Sequence, residues 1–376
     1  MMRTKILVAD DSVVIRRMLT RVISEEMDME IVGTAPDGRI ALEKISQTNP
    51  DLLILDVEMP NLNGLETLAE IRSRYPHLPV IMFSSFTKLG AEATIDALLL
   101  GARDYVEKPS TGFLEESIRR VKDNLVPKIR SLGRSLEKGA GNPGSFEIHP
   151  PPSPTRKAGS HRASPKRVDL VVMGVSTGGP SALATVLSKI PKIFPVPLLI
   201  VQHMPPAFTA TLAQRLTDTS ALEVREAAGD ETLGAGMVRL APGDYHMAIR
   251  LNGGLPQLWT FQGPIVNSCR PSVDVLFQSA AALYGESVLG VILTGMGQDG
   301  LKGCEQIVDQ GGRVMAQDEA SSVVWGMPGE VVRAGLADKV LPLEEIAPEI
   351  LRRVGFERET LFMAEDPSPA GREKKT

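Results

Sequence analysis

The sequence predicts an α/β protein of two domains, each a doubly wound, mainly parallel sheet wrapped by helices. Three observations predict it. Short apolar runs alternate with helix-period stretches in two separate series, polar residues gather immediately after those runs, and a stretch poor in apolar residues divides the series. At 376 residues the chain is also long for a single core.

In the first series the expected strands are Ile6 to Ala9, Glu30 to Thr34, Leu52 to Leu55, Val80 to Phe83, and Tyr105 to Val106. Between Ser131 and Arg167 the composition turns to Pro, Gly and Ser, with seven Lys/Arg against two Glu, and includes the run from Pro150 to Pro154. Such a segment cannot bury enough apolar area to offset its ordering entropy, so it reads as a linker. Alternation resumes with apolar strands at Leu170 to Met173, Leu198 to Val201 and Val288 to Leu293, each followed by a Gly- or Pro-marked loop. The expected organisation is residues 1–125, a basic linker at 126–167, a second domain at 168–360, and a disordered polar tail at 361–376.

Composition narrows the function. The chain is 43% hydrophobic and 23% charged with a net charge of -5, which suits a soluble protein and gives nucleic acid no general attraction. Its two cysteines, Cys269 and Cys304, have no metal-ligand spacing and fit a reducing compartment. With no apolar leader and no run of about 18 apolar residues, the expectation is a cytoplasmic protein that does not insert into a membrane.

Ligands of parallel α/β sheets gather beyond the carboxyl ends of the strands. Asp10 and Asp11 follow the first strand and Asp56 the third. Three converging carboxylates repel one another unless a hard divalent cation sits among them, and Mg²⁺ fits. Ser84 and Lys108 add a hydroxyl and an ammonium to the same edge. The set suits phosphoryl transfer to a carboxylate. A single Asp here could be a helix cap, but five positions on one edge exceed what capping explains.

In the second series, Val171 to Pro180 reads as strand, glycine turn and helix start, and it matches G-x-S-x-G around Ser176. A phosphate-binding loop is disfavoured because no Lys-Ser/Thr pair follows. A nucleophilic serine needs a base, and of five histidines only His203 and His246 lie in this domain. His203 follows the strand that ends at Val201, which places it on the edge of Ser176. His246 falls in an expected hairpin. For the orienting acid, Asp299 lies in the glycine loop after Leu293 and Asp318 follows Gln317. The glycine loop favours Asp299, since close backbone approach also supplies oxyanion donors.

These residues carry a resemblance. Asp10-Asp11, LILDVEMP around Asp56, Ser84, and Tyr105 before Glu107-Lys108-Pro109 resemble a response-regulator receiver, with its flavodoxin-like strand order. The resemblance implies that Asp56 accepts phosphoryl from a histidine kinase with Mg²⁺ held by Asp10, Asp11 and Asp56. It further implies that Ser84 and Tyr105 report the change and that Lys108-Pro109 is a cis peptide. GVSTGGP, VQHMPPAFT, APGDYHM, RPSVDVLF, LTGMGQDG and SSVVWGMPG occur in the order found in chemotaxis protein-glutamate methylesterases. That resemblance implies Ser176 as nucleophile, His203 as general base and acid, Asp299 as orienting carboxylate and the Met296 backbone N–H as oxyanion donor. It needs no cofactor in the esterase site. The Ser, His, Asp order differs from that of α/β-hydrolases. Gln298 and Cys269 depart from the family pattern, in which a shorter Asn or Asp and a His are common.

The implied activity is a phosphorylation-switched hydrolysis of glutamate methyl esters on methyl-accepting chemotaxis receptors, with deamidation of receptor glutamines beside it. A receiver-controlled DNA-binding regulator is the rival, and Val168 to Glu359 opposes it with 14 Lys/Arg against 21 Asp/Glu and no helix-turn-helix pattern. A pure interaction module is disfavoured because all three triad candidates are present.

Overall fold

A computed structural model describes residues 3–85, 87–109, 114–139 and 167–356. The first domain comprises β1 (Thr4–Ala9), α1 (Val13–Ser24), β2 (Met29–Ala35), α2 (Gly38–Thr48), β3 (Leu52–Asp56), α3 (Gly64–Arg74), β4 (Val80–Ser84), α4 (Lys88–Leu99), β5 (Asp104–Glu107) and α5 (Leu114–Gly139). Its sheet has the order β2-β1-β3-β4-β5 with every pairing parallel. Strands β3 and β4 are buried along their whole length. That is why they read as continuous apolar runs: helices cover both faces. Ser12, Asp37 and Asn63 cap α1, α2 and α3, and Asn63 with Glu66 forms a full capping box.

Helix α5 continues beyond residue 125, into the segment whose composition suggests a linker. The reason is apolar: Val126, Ile129 and Leu132 keep packing on the first domain's core. The remaining Pro/Ser/Gly-rich segment, with His149 and His161, and the expected polar tail lie outside the described residues.

The second domain comprises β6 (Leu170–Val175), α6 (Gly179–Leu187), β7 (Leu198–Gln202), α7 (Pro206–Asp218), β8 (Val224–Glu226), β9 (Val238–Leu240), β10 (His246–Asn252), β11 (Leu255–Phe261), α8 (Val273–Tyr284), β12 (Val288–Ile292), α9 (Leu301–Asp309), β13 (Arg313–Gln317), α10 (Met327–Arg333), β14 (Lys339–Leu341) and α11 (Leu343–Arg353). Its main sheet is parallel throughout, in the order β14-β13-β12-β6-β7-β9-β8, while β10 and β11 form a separate antiparallel hairpin. From β6 the chain builds toward β7 on one side and later returns to lay β12 on the other. The strand order therefore reverses between β6 and β12, and sheets of this kind place their ligands beyond the carboxyl ends of strands at such a point.

The two domains meet through α4 and β5 of the first and α6 and α7 of the second. Their apolar side chains merge into one cluster that includes Ile95, Leu98 and Tyr105 on one side and Leu183, Phe208 and Leu212 on the other. Arg215 of α7 grips Asp96 of α4 through two hydrogen bonds of 2.6 and 3.0 Å. Ser181 of α6 donates to the Leu98 carbonyl at 2.5 Å. No described helix is long and apolar enough to cross a membrane.

Candidate active site

Strand β6 delivers Ser176 into a turn that only glycine can complete. Gly178 has φ 77°, and a Cβ there would stand 2.6 Å from the Val323 side chain. Gly179 then starts α6, and a Cβ on it would meet Gln202 Oε1 at 1.9 Å. The Gln202 side-chain amide in turn donates to the carbonyls of Ser176 and His203, both at 3.1 Å. With Val175 paired to Gln202 across β6 and β7, Ser176 and His203 leave adjacent strands side by side. The Ser176 N–H donates to the Thr294 carbonyl at 3.0 Å, which fastens the turn to the loop after β12.

That loop carries the acid. Asp299 is 2% exposed, and its Oδ2 lies 2.8 Å from His203 Nε2. Ser272 Oγ and Asn267 Nδ2 donate to its Oδ1 at 2.7 and 2.8 Å, and the Val273 N–H donates to Oδ2 at 2.6 Å. Burial works against its charge, yet hydrogen bonding to His203, Asn267 and Ser272 holds the carboxyl below its ordinary range. Asp299 is thus an ionised, fixed acceptor. Asp318 accepts from the Ser321 N–H and hydroxyl, which makes it the brace of a local turn. Geometry therefore favours Asp299 as the partner of His203.

The His203 ring nitrogen opposite Asp299, Nδ1, lies 3.7 Å from Cys269 Sγ. Ring burial opposes protonation, but Asp299 and Cys269 outweigh it and raise the pKa from 6.5 to about 9. Among the described residues no hydrogen bond joins Ser176 Oγ to the ring, a contact that active sites commonly tighten only around substrate. The Met296 N–H has no backbone acceptor among the described residues. His246 is placed elsewhere: it is buried, accepts from the Ser272 N–H and meets the Pro264 carbonyl at 2.8 Å. It supports the segment that cradles Asp299. Asn267, Ser272 and Gln202 escape sequence reasoning, although Ser272 lies within the RPSVDVLF stretch and Gln202 adjoins His203.

In the first domain, Asp10, Asp11 and Asp56 each present a carboxylate oxygen within 4.8 Å of the others. Asp10 and Asp56 are buried, and Lys108 Nζ lies 2.9 and 2.7 Å from their Oδ2 atoms. The ammonium meets them as an ion pair, and neither oxygen has an aligned hydrogen-bond donor. Burial raises the Asp56 pKa to about 6, with Asp10's charge adding and Lys108 subtracting. Buried carboxylate oxygens without an aligned donor, clustered with Asp11, fit a hard divalent cation such as Mg²⁺. The cis peptide among the described residues is Arg270–Pro271, not Lys108–Pro109; Lys108 reaches both carboxylates without it.

Ser84 and Tyr105 lie near this pocket but face other partners. Ser84 Oγ donates to the Gly90 carbonyl at 3.2 Å and accepts from Thr94 Oγ1 at 2.7 Å, so it is turned toward α4. The Tyr105 ring packs against Phe208 of the second domain with centroids 4.7 Å apart.

Comparison with known proteins agrees with both halves. The CheB methylesterase family matches residues 171–350, and the response regulator receiver domain family matches residues 6–119. The chain is 50% identical over 359 residues to a protein-glutamate methylesterase/protein-glutamine glutaminase of Trichodesmium erythraeum, covering 94% of this chain and 100% of that one. A Nocardioides protein of the same description is 45% identical over 372 residues, covering 96% and 98%. Among solved structures, the Thermotoga maritima CheB methylesterase catalytic domain is 42% identical, covers 50% of this chain and 99% of its own, and has a TM-score of 0.48.

Proposed function

Because the chain belongs to the protein-glutamate methylesterase/protein-glutamine glutaminase family, with a receiver ahead of its catalytic domain, we propose that Ser176, His203 and Asp299 hydrolyse glutamate methyl esters of chemotaxis receptors. The observation that carries this reading is the 2.8 Å contact of His203 Nε2 with a buried, ionised Asp299 on the sheet edge that also bears Ser176.

Asp299 holds the Nε2 proton, which leaves Nδ1 as the atom that exchanges protons. Neutral His203 takes the proton of Ser176 Oγ as that oxygen bonds to the ester carbonyl carbon. The carbonyl oxygen becomes an oxyanion, for which the Met296 N–H and the start of α6 supply positive charge. Protonated His203 then delivers its proton to the leaving methoxide, and methanol departs. Water attacks the glutamyl-serine ester by the same relay in reverse, releasing a glutamate carboxylate and restoring Ser176. A glutamine substrate follows the same path with ammonia leaving.

The receiver supplies control. Asp56 takes a phosphoryl group from a histidine kinase, and Asp10, Asp11 and Asp56 would hold the Mg²⁺ that neutralises phosphoryl oxygens. The first domain packs on the turn that bears the nucleophile: the Gly178 N–H donates to the Arg103 carbonyl at 3.1 Å. In the unphosphorylated state this packing restricts approach to Ser176, and phosphorylation loosens it.

The test is methanol release from methylated receptors with and without a small phosphoryl donor. Full activity in Ser176→Ala would sink the mechanism, and indifference of the wild type to the donor would sink the switch.

A further inference from the structure

The thiol of Cys269 faces the imidazole of His203, and three features make the pair more than a chance contact. The first is span. Zinc bonds sulfur at about 2.3 Å and imidazole nitrogen at about 2.0–2.1 Å, so the 3.7 Å between Cys269 Sγ and His203 Nδ1 closes a triangle with an angle at the metal of about 115°, close to tetrahedral.

The second is the state of the ring. Asp299 takes the Nε2 proton, so the lone pair of the neutral imidazole lies on Nδ1, toward Cys269. A carboxylate behind a histidine in this way is the usual outer support of a metal-binding imidazole. Asp299 itself is occupied by Ser272, Asn267 and Val273, so it orients the ring and does not compete for an ion.

The third is preorganisation. Val266 and Cys269 exchange both backbone hydrogen bonds around Asn267 and Ser268, whose φ values are 50° and 63°, a tight two-residue hairpin turn. Asn267 anchors that turn to Asp299 and Asp274. The turn thus fixes the Cys269 backbone, and the thiol itself donates to the Asn267 carbonyl at 3.4 Å.

We propose that His203 and Cys269 form a binding site for a thiophilic divalent cation, Zn²⁺ above all, and that its occupation switches off hydrolysis. On binding, the S–H bond of Cys269 and, where the ring is an imidazolium, the Nδ1–H bond of His203 break and their protons go to solvent, while Zn–S and Zn–N bonds form; water fills the remaining positions. The receiver's oxygen-only cluster prefers hard cations, so Mg²⁺ there and Zn²⁺ here are separable by ligand chemistry. Binding stands on geometry alone, whereas inhibition rests on His203 being the base. Cys304, the other thiol, is fully buried and offers no alternative ligand.

The experiment uses the full chain in excess Mg²⁺, with Co²⁺ as the visible probe and Zn²⁺ as the inhibitor. Wild type should show a thiolate-to-cobalt charge-transfer band and intense tetrahedral visible bands, both removed by Zn²⁺ and both absent in Cys269→Ser. Zn²⁺ should suppress methanol release reversibly, with a chelator restoring it. The midpoint should rise at least about tenfold in Cys269→Ser, measured relative to that variant's own uninhibited rate. Circular dichroism is the check that the variant folds. Absence of the charge-transfer band, or equal midpoints in the two proteins, would overturn the site and leave the triad standing. A band accompanied by undiminished hydrolysis would overturn the inhibition and count against His203 as the base.

Discussion

Thr177 Oγ1 donates to Asp104 Oδ2 at 2.6 Å, a buried hydrogen bond that joins the residue after the proposed nucleophile to the receiver's last strand. Lys128 Nζ holds the other oxygen of Asp104 at 2.7 Å and also reaches the Tyr105 carbonyl. The Ser176 turn and Tyr105 of the receiver are thus tied to one carboxylate, the contact through which the proposed phosphorylation would reach Ser176.

Loosening this tie should raise activity in the absence of a phosphodonor. A buried hydrogen bond to a charged group contributes about 1.5–3 kcal/mol, enough to move a closed-to-open equilibrium about tenfold or more. Thr177→Val should therefore increase basal methanol release several-fold. The Arg215–Asp96 pair is about a third exposed, so Arg215→Ala should act in the same direction but more weakly and fade at high salt. Basal rates unchanged in both variants would show that the interface does not restrain the site.

Asp299→Asn should retain the cradle's shape but lose the charge that fixes and stabilises the imidazolium. The expected fall in kcat is roughly 10³–10⁴-fold with little change in KM. Asp318→Asn keeps an acceptor for the Ser321 N–H and hydroxyl and should leave kcat largely retained. Equal kcat losses in the two variants would contradict the assignment of Asp299.

The sequence is most legible where one element suffices. Fully buried strands announce themselves as apolar runs, and the residues just beyond each run mark the sheet edge; Asp10, Asp56, Ser176 and His203 can all be located in this way. Capping residues such as Asn63 and Glu66 are equally local. Hidden from the sequence are the roles that depend on contacts between distant segments. Asn267 is 32 positions from Asp299 and its role exists only after the Val266–Cys269 turn folds. Thr177 and Asp104 are 73 positions apart and meet only when the domains dock. Gly133 and the polar composition around it obscure the extension of α5, because its apolar face is sparse and is completed by packing on the first domain.

The pH profile depends on His203. With its pKa raised from 6.5 to about 9, the ring is mostly protonated at neutrality and the base form grows as pH rises. Log kcat/KM should climb with unit slope and bend near pH 9. Cys269 contributes to the upward shift, so Cys269→Ser should move the bend to lower pH. The same proton stabilises the fold: that contribution is complete below about pH 6.5 and is lost as pH rises through about 9. A bend at the same pH in both proteins would exclude Cys269 from setting the basicity of His203.

As the proposed phosphoryl acceptor the Asp56 carboxylate must be ionised, yet burial raises its pKa to about 6. A group whose folded pKa lies above its unfolded value of 3.8 is destabilising while ionised, so metal-free protein should gain stability as pH falls through about 6. Mg²⁺ opposes this by favouring the ionised form, and it should raise Tm at neutral pH more than at pH 5. Asp56→Asn removes both the attacking group and the buried charge. That variant should show no phosphodonor response, a smaller Mg²⁺ effect on Tm, and a metal-free Tm that no longer rises as pH falls through about 6. Retention of the donor response in Asp56→Asn would place the phosphorylation site elsewhere.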